Sequence, residues 1–226
     1  MSRPHAVVVA SLAAFAFAFA FAFASAASAA PLTVAKVAAP AVNCIFQPSC
    51  KLTVADTVAL FQIPGAAGQA RLQSRTFQGA PGPGGKTLYG YLYRVDLGEV
   101  SAAAATPPCV WAVKVSDAKG VSSQVDYDKN GSPDDAMAIT AGGLGAIVPT
   151  AESDEQTSMI FRFAPGVCAG AKTGGSQSSV FFGFASLVQP TPAPDPVFTS
   201  VQLTPGGPWI PVAGRGPQIC AIFKAC

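Results

Sequence analysis

Glycine and proline interrupt this chain too often for it to build a helical domain. There are 22 Gly and 20 Pro in 226 residues, and the apolar runs between them are short and alternating. No stretch sustains apolar residues at i, i+3, i+4 and i+7 over several turns, so the pattern is that of strands. The strongest is 87–97, TLYGYLYRVDL, which sets Tyr89, Tyr91, Tyr93, Val95 and Leu97 on one face. Residues 157–164 place Met159, Phe161 and Phe163 inward and Arg162 outward. Residues 178–187, SSVFFGFASL, are apolar on both faces, as a central strand covered on both sides must be. Residues 70–77 alternate more weakly, with Arg71, Gln73 and Arg75 on one side, which suits a sheet edge. About nine or ten strands at this spacing predict an all-β fold, an antiparallel β-sandwich of jelly-roll or Ig-like kind stabilised by disulfides. Residues 30–42 read as a loose lead-in, and the Pro-rich 189–196 as a stiff spacer before the C-terminal strand.

The start of the chain carries an address. Arg3 precedes an uncharged run over 6–24 with an alternating Ala-Phe tract, then the small residues SAASAA. This is the composition of a secretory signal peptide, with cleavage expected after Ala29. The expected product is a single secreted domain over 30–226, extracellular or periplasmic, with no membrane span. In an oxidising compartment six cysteines form a disulfide framework. The matching C-x5-C spacings at both ends favour Cys44–Cys50 and Cys220–Cys226, leaving Cys109–Cys168 as a long-range clamp. Cys109 shares a strand face with Trp111, Val113 and Val115, so that bridge is expected in the sandwich centre. The alternative connectivity ties the two terminal pairs to each other.

Charge and histidine content remove several functions. The segment after residue 29 holds 13 basic and 12 acidic side chains, with no basic stripe, so nucleic acid is not an expected partner. The chain's one histidine, His5, falls in the expected leader, which leaves no Ser-His-Asp or Cys-His arrangement and no histidine metal site after residue 29.

What remains is one acidic loop, DYDKNGSPDD at 126–135, which gathers four of the chain's 12 carboxylates. Its D-x-D-x-N-G order is the front half of a calcium-binding loop. Asp126, Asp128 and Asn130 take the first three ligand positions, and Gly131 permits the sharp turn. Ser132 offers a backbone carbonyl, and Asp134 a further carboxylate. The loop resembles those of EF-hand, dockerin and thrombospondin-type calcium proteins, which implies Ca2+ as a structural ion. It departs from the EF-hand at the twelfth position, where Met137 replaces the bidentate Glu. Asp135, or a carboxylate of the 152–155 cluster, is expected to close the shell instead. The plain alternative is a hairpin turn around Asn130-Gly131, which has an intrinsic preference for positive φ. A bare turn, however, gives no reason to crowd carboxylates that repel one another without a cation.

The expected function is therefore that of a non-enzymatic structural or envelope-associated protein with a structural calcium loop. Its partners are calcium and another envelope protein or a glycan. A carbohydrate-binding or adhesive module is the alternative if the Tyr89/Tyr91/Tyr93 face is exposed, and a carboxylate-dependent glycosidase is a further one.

Overall fold

A computed structural model of the chain describes residues 29–101, 107–154, 157–170 and 177–218. Residues 1–28 of the expected 1–29 leader, Glu155 and the Cys220/Cys226 pair lie outside the described residues. In chain order the first elements are β1 (Ala30–Leu32), β2 (Val34–Ala38), helix α1 (Ala39–Phe46), β3 (Val54–Phe61), β4 (Ala70–Pro81) and β5 (Thr87–Asp96). There follow β6 (Cys109–Val115), the short helix α2 (Ala118–Val121), β7 (Ser122–Ser123), β8 (Ala136–Ala141) and β9 (Pro149–Ser153). The last are β10 (Met159–Cys168), β11 (Phe181–Ser186), β12 (Thr199–Gln202) and β13 (Trp209–Pro211).

These strands form two packed sheets, an all-β sandwich. One sheet runs β1-β9-β10-β6-β12-β13, and the other β2-β8-β11-β5-β4-β3, with β7 also pairing β11. The strand pairings are antiparallel except that of β2 with β8. Between the sheets, Tyr91, Tyr93 and Val95 of β5 meet Phe182 and Phe184 of β11 and Phe161 and Phe163 of β10. Tyr91 stacks on Phe184 at 5.1 Å, and Phe161 lies 4.7 Å from Phe182. Each such pair adds about 0.5–1.5 kcal/mol beyond its area. The buried phenols are satisfied: Tyr91 Oη donates to the Val188 carbonyl and Tyr93 Oη to that of Arg215, both at 2.6 Å. The tyrosine face is therefore core, with Tyr89 half-buried at its margin.

A second apolar layer covers the far side of the β2–β3 sheet. Ala35, Val37, Phe77, Leu92, Met137, Ile139, Phe181 and Ala185 point away from the main core and are covered by Val42 and Phe46 of α1 and by Tyr127. Helix α1 exists because Pro40 sits in its first turn, where no N–H is needed, and because Val42 and Phe46 share one face. Phe46 meets Phe77 edge-on at 4.7 Å. The helix stops at Gln47, and the Cys44–Cys50 disulfide secures the turn beyond it.

Several expectations change here. The lead-in at 30–42 is not loose, since it supplies β1, β2 and the start of α1. The sheet edge is β3 and not the weakly alternating β4, although β4 does turn Leu72, Ser74 and Thr76 inward. Gln189–Pro190 and the residues after it do not act as a spacer. Thr191 N–H donates to Gly216 O, and Asp195 pairs with Gly214 across the segment 214–218.

The Cys109–Cys168 disulfide is present, but it joins neighbouring strands of one sheet, half-buried, instead of filling the centre. The β6–β10 register shifts between Arg162 and Val167, which changes the facing of β6. Val110 therefore joins Val113 and Val115 in the core, and Trp111 lies half-buried beside Gly166. The bridge closes a chain separation of 59 residues, against 6 for Cys44–Cys50. Loop-closure entropy then predicts that Cys109→Ala with Cys168→Ala lowers stability by about 4 kcal/mol, and the Cys44/Cys50 double variant by about 2 kcal/mol. Urea melts of the two variants measure the difference, and the larger loss is expected in the 109/168 pair.

Candidate metal centre

The acidic loop is an excursion out of a single strand position. Ser122 and Ser123 of β7 pair with Ser186 and Ala185 of β11, and Met137 to Ile139 of β8 pair with Gly183 to Phe181. Both segments run along the same edge of β11 in the same direction. Between Ser123 and Met137 the chain advances fourteen residues while β11 advances two. The excess is the loop. Its base is closed by a pair of backbone hydrogen bonds between Val125 and Asp134, at 3.1 and 2.9 Å.

Tyr127 fastens this excursion to the sheet. Its ring is buried in the second apolar layer, and its hydroxyl accepts a hydrogen bond from Ala185 N–H at 2.8 Å. Burial, first of all, pushes the Tyr127 phenol well above its ordinary range, and the nearby Asp134 and Asp135 add to this. Because Tyr127 turns inward, its neighbours Asp126 and Asp128 are held on the outer side of the loop.

The carboxylates then organise the backbone. Asp126 accepts from Asn130 N–H through Oδ1 at 3.0 Å and from Gly131 N–H through Oδ2 at 2.9 Å. Asp128 accepts from the Asn130 backbone and side chain, at 3.1 and 3.0 Å. Asn130 Oδ1 in turn accepts from Ser132 N–H at 2.8 Å. The turn requires positive φ at Lys129 (62°) and Gly131 (91°), and the second is the conformation for which glycine is suited. Oxygens of Asp126, Asp128 and Asp134 end up within 4.8 Å of one another. Asp134 Oδ2 is buried without a hydrogen-bond partner. Among the described residues, no ion pair engages any of these three carboxylates. Burial raises the Asp134 carboxyl above the ordinary value, and the charges of Asp128, Asp126 and Asp135 raise it further.

The other expected ligands are placed elsewhere or differently. Asp135 turns away into a buried network, accepting from Lys119 Nζ at 2.7 Å, from Gln124 Nε2 at 3.1 Å, and from the backbone and hydroxyl of Thr33, each at 3.1 Å. Burial opposes ionisation of Asp135. The hydrogen bonds from Lys119, Thr33 and Gln124, with the Lys119 charge, outweigh it and hold the carboxyl below the ordinary value. Ser132 is exposed on the outer turn. In the 152–155 cluster, Glu152 pairs with Arg162 at 2.5 Å and Asp154 accepts from Ser158 N–H at 2.8 Å, both in the opposite sheet region. Met137, at the position where an EF-hand closes its shell, is fully buried. It packs the second layer.

Sequence reasoning missed Tyr127 as the anchor and Thr33, Lys119 and Gln124 as the holders of Asp135. Tyr127 carried a signal, a lone large ring between two carboxylates. The Thr33 contact spans 102 residues and carried none.

The donor set is hard oxygen throughout and carries one buried, unpaired carboxylate oxygen, which suits a hard divalent cation. No family model, curated protein or solved structure matches the chain.

The opposite shifts of Asp134 and Asp135 give opposite pH dependences. Native Asp134 keeps its proton to higher pH than the unfolded chain does. In chelator its contribution therefore falls as pH rises from the ordinary aspartate value through the raised one. Asp135 contributes above the ordinary value and loses its contribution as pH falls through its lowered one. Asp134→Asn is expected to raise the melting temperature in chelator at neutral pH and to remove that falling slope. Thermal melts from pH 3 to 8 check this, and an unchanged slope in the variant contradicts the assignment. Tyr127→Phe leaves Ala185 N–H unpaired and is expected to cost about 1–3 kcal/mol, read by the same melts.

Proposed function

We propose that this is an exported, non-enzymatic structural protein of the extracellular or envelope space, braced by disulfides and by a calcium ion in the 126–134 loop. The reading is carried by the convergence of Asp126, Asp128 and Asp134 around the unpaired Asp134 Oδ2. Asn130 and the Ser132 carbonyl complete the proposed ligand set. Calcium takes six to eight oxygens, so water fills the remaining positions. The ion would neutralise repulsion the protein otherwise tolerates, and it would stiffen the loop over Tyr127 and the second apolar layer. An affinity on the order of 10⁻⁴–10⁻³ M, as in extracellular modules, fits a structural role. The secretory leader and the paired cysteines support the proposed location.

The remaining acids support a non-enzymatic reading. Asp56 pairs with Arg75, Asp96 with Arg94 and Glu99 with Arg71. Asp117 accepts from Thr157 Oγ1, and Asp195 from Val197 N–H. Each of these carboxylates has a structural partner, and no two of them pair with each other. The sugar-binding alternative has lost Tyr91 and Tyr93 to the core.

Calorimetric melting of the oxidised protein in calcium, magnesium and chelator tests the proposal. A tenfold excess of calcium over its Kd is expected to stabilise by about 1.4 kcal/mol, a rise of about 3–6 °C for a domain of this size. Asp128→Ala should melt identically with calcium and with chelator. Coincident wild-type curves in the two conditions would sink the calcium reading and leave a hairpin turn.

A further inference from the structure

The sandwich has four open sheet edges among the described residues, and three of them are blunted. β1 and β13 are three residues long and carry Pro31 and Pro211, and β2 carries the exposed Lys36. Short length, proline and lysine are the devices by which proteins keep edge strands from pairing with other chains. The fourth edge, β3, has none of them. It is eight residues long and pairs with β4 without a register break from Val54–Phe77 to Phe61–Ala70. It contains no Pro and no Lys, and it exposes Val54 at 43%, Val58 at 55% and Leu60 at 54%. These three large apolar residues lie on one face of one strand, beside a row of backbone groups that no described residue pairs.

We infer that β3 is an assembly edge, and that its occupant is β3 of a second copy of this chain, paired antiparallel about a twofold axis. The strand is self-complementary in one register. With Thr57 opposite Thr57 of the partner copy, Val54 faces Leu60 and Asp56 faces Val58, so both ends of the pairing are apolar on apolar. The only charge on the strand is already neutralised within each copy. Asp56 is held by Arg75 through two bonds of 2.7 Å, with Gln73 at 3.3 Å. This register also keeps the two Asp56 carboxylates off each other, which a register centred on Asp56 would not. A twofold perpendicular to the sheet keeps outer faces together, so the two β2–β3 sheets become one continuous sheet and the exposed stripes of Val54, Val58 and Leu60 merge. Pairing of one edge strand buries a modest area, so the dimer is an equilibrium that dilution dissociates.

Sedimentation equilibrium of the oxidised protein across a range of concentration tests this, with Val58→Asp, which sets like charges opposite each other at Asp56 of the second copy, and Thr57→Cys as variants. Val58 is exposed, so the aspartate is tolerated in the monomer, and near-UV circular dichroism identical to wild type verifies that. The expected result is a twofold mass that falls to the monomer on dilution, and a monomer at all concentrations for Val58→Asp. In the proposed register the two Thr57 Cα atoms stand about 4.5–5.5 Å apart, within disulfide range. Thr57→Cys is therefore expected to yield a reducible twofold band on a non-reducing gel, and Leu60→Cys, whose counterpart is Val54, is not. A monomer at every concentration would overturn the inference and leave the edge to a strand of another protein. So would a dimer indifferent to Val58→Asp, or cross-linking at Leu60→Cys in place of Thr57→Cys.

Discussion

Strand β11 must bury both of its faces, and much of the molecule follows from that demand. All six of its residues are buried, with Phe182 and Phe184 in the core between the sheets and Phe181 and Ala185 in the layer outside. A large apolar side chain contributes about 1.5–3 kcal/mol only when it is taken out of water, so the outer pair needs a cover. Helix α1 and Tyr127 supply it. Close approach on the other side is equally strict: a Cβ at Gly183 would stand 1.7 Å from the Tyr91 carbonyl oxygen, so only glycine lets β5 lie against β11 there.

The same cover explains where the carboxylates stand. The strand that pairs with one edge of β11 is interrupted between β7 and β8, and the interrupting chain folds back over the outer layer through Tyr127. Alternation does the rest, since an inward Tyr127 leaves Asp126 and Asp128 outward. The closing backbone pair of Val125 and Asp134 brings the third carboxylate beside them. Asp135, one residue on, has the opposite facing and is drawn to Lys119 and Thr33. Two adjacent aspartates thus serve different ends. One is left electrostatically strained among like charges, and the other helps tie the N-terminal segment to the loop.

The periodicity of individual strands was legible because facing depends only on the nearest neighbours along the chain. The residues on each face of β4, β5 and β10 follow from alternation, and so does the two-sided burial of β11. The acidic loop was legible because its D-x-D-x-N-G spacing is local. Facing failed on β6, where a register shift against β10 changes which side Cys109 and Trp111 occupy. It failed also at 30–42, whose small and β-branched residues gain order only from β8 and β9. Alternation records a pattern along one chain, and a bulge in a partner strand leaves no trace in it.

The sequence by itself determined the all-β class, the shared face of the β5 tyrosines, the Cys109–Cys168 pairing common to both connectivities and the gathering of acids at 126–135. Each rests on contacts short in sequence, or on a chemical identity such as a cysteine that needs a partner. The tertiary structure alone decided that β3 and not β4 is the open edge. It decided that Tyr127 anchors the loop, that the tyrosines of β5 face the core, and that Asp135, expected to close the ligand shell, belongs to Thr33, 102 residues away. Those outcomes depend on which surfaces remain uncovered once the two sheets have met, and no window of the chain contains that information.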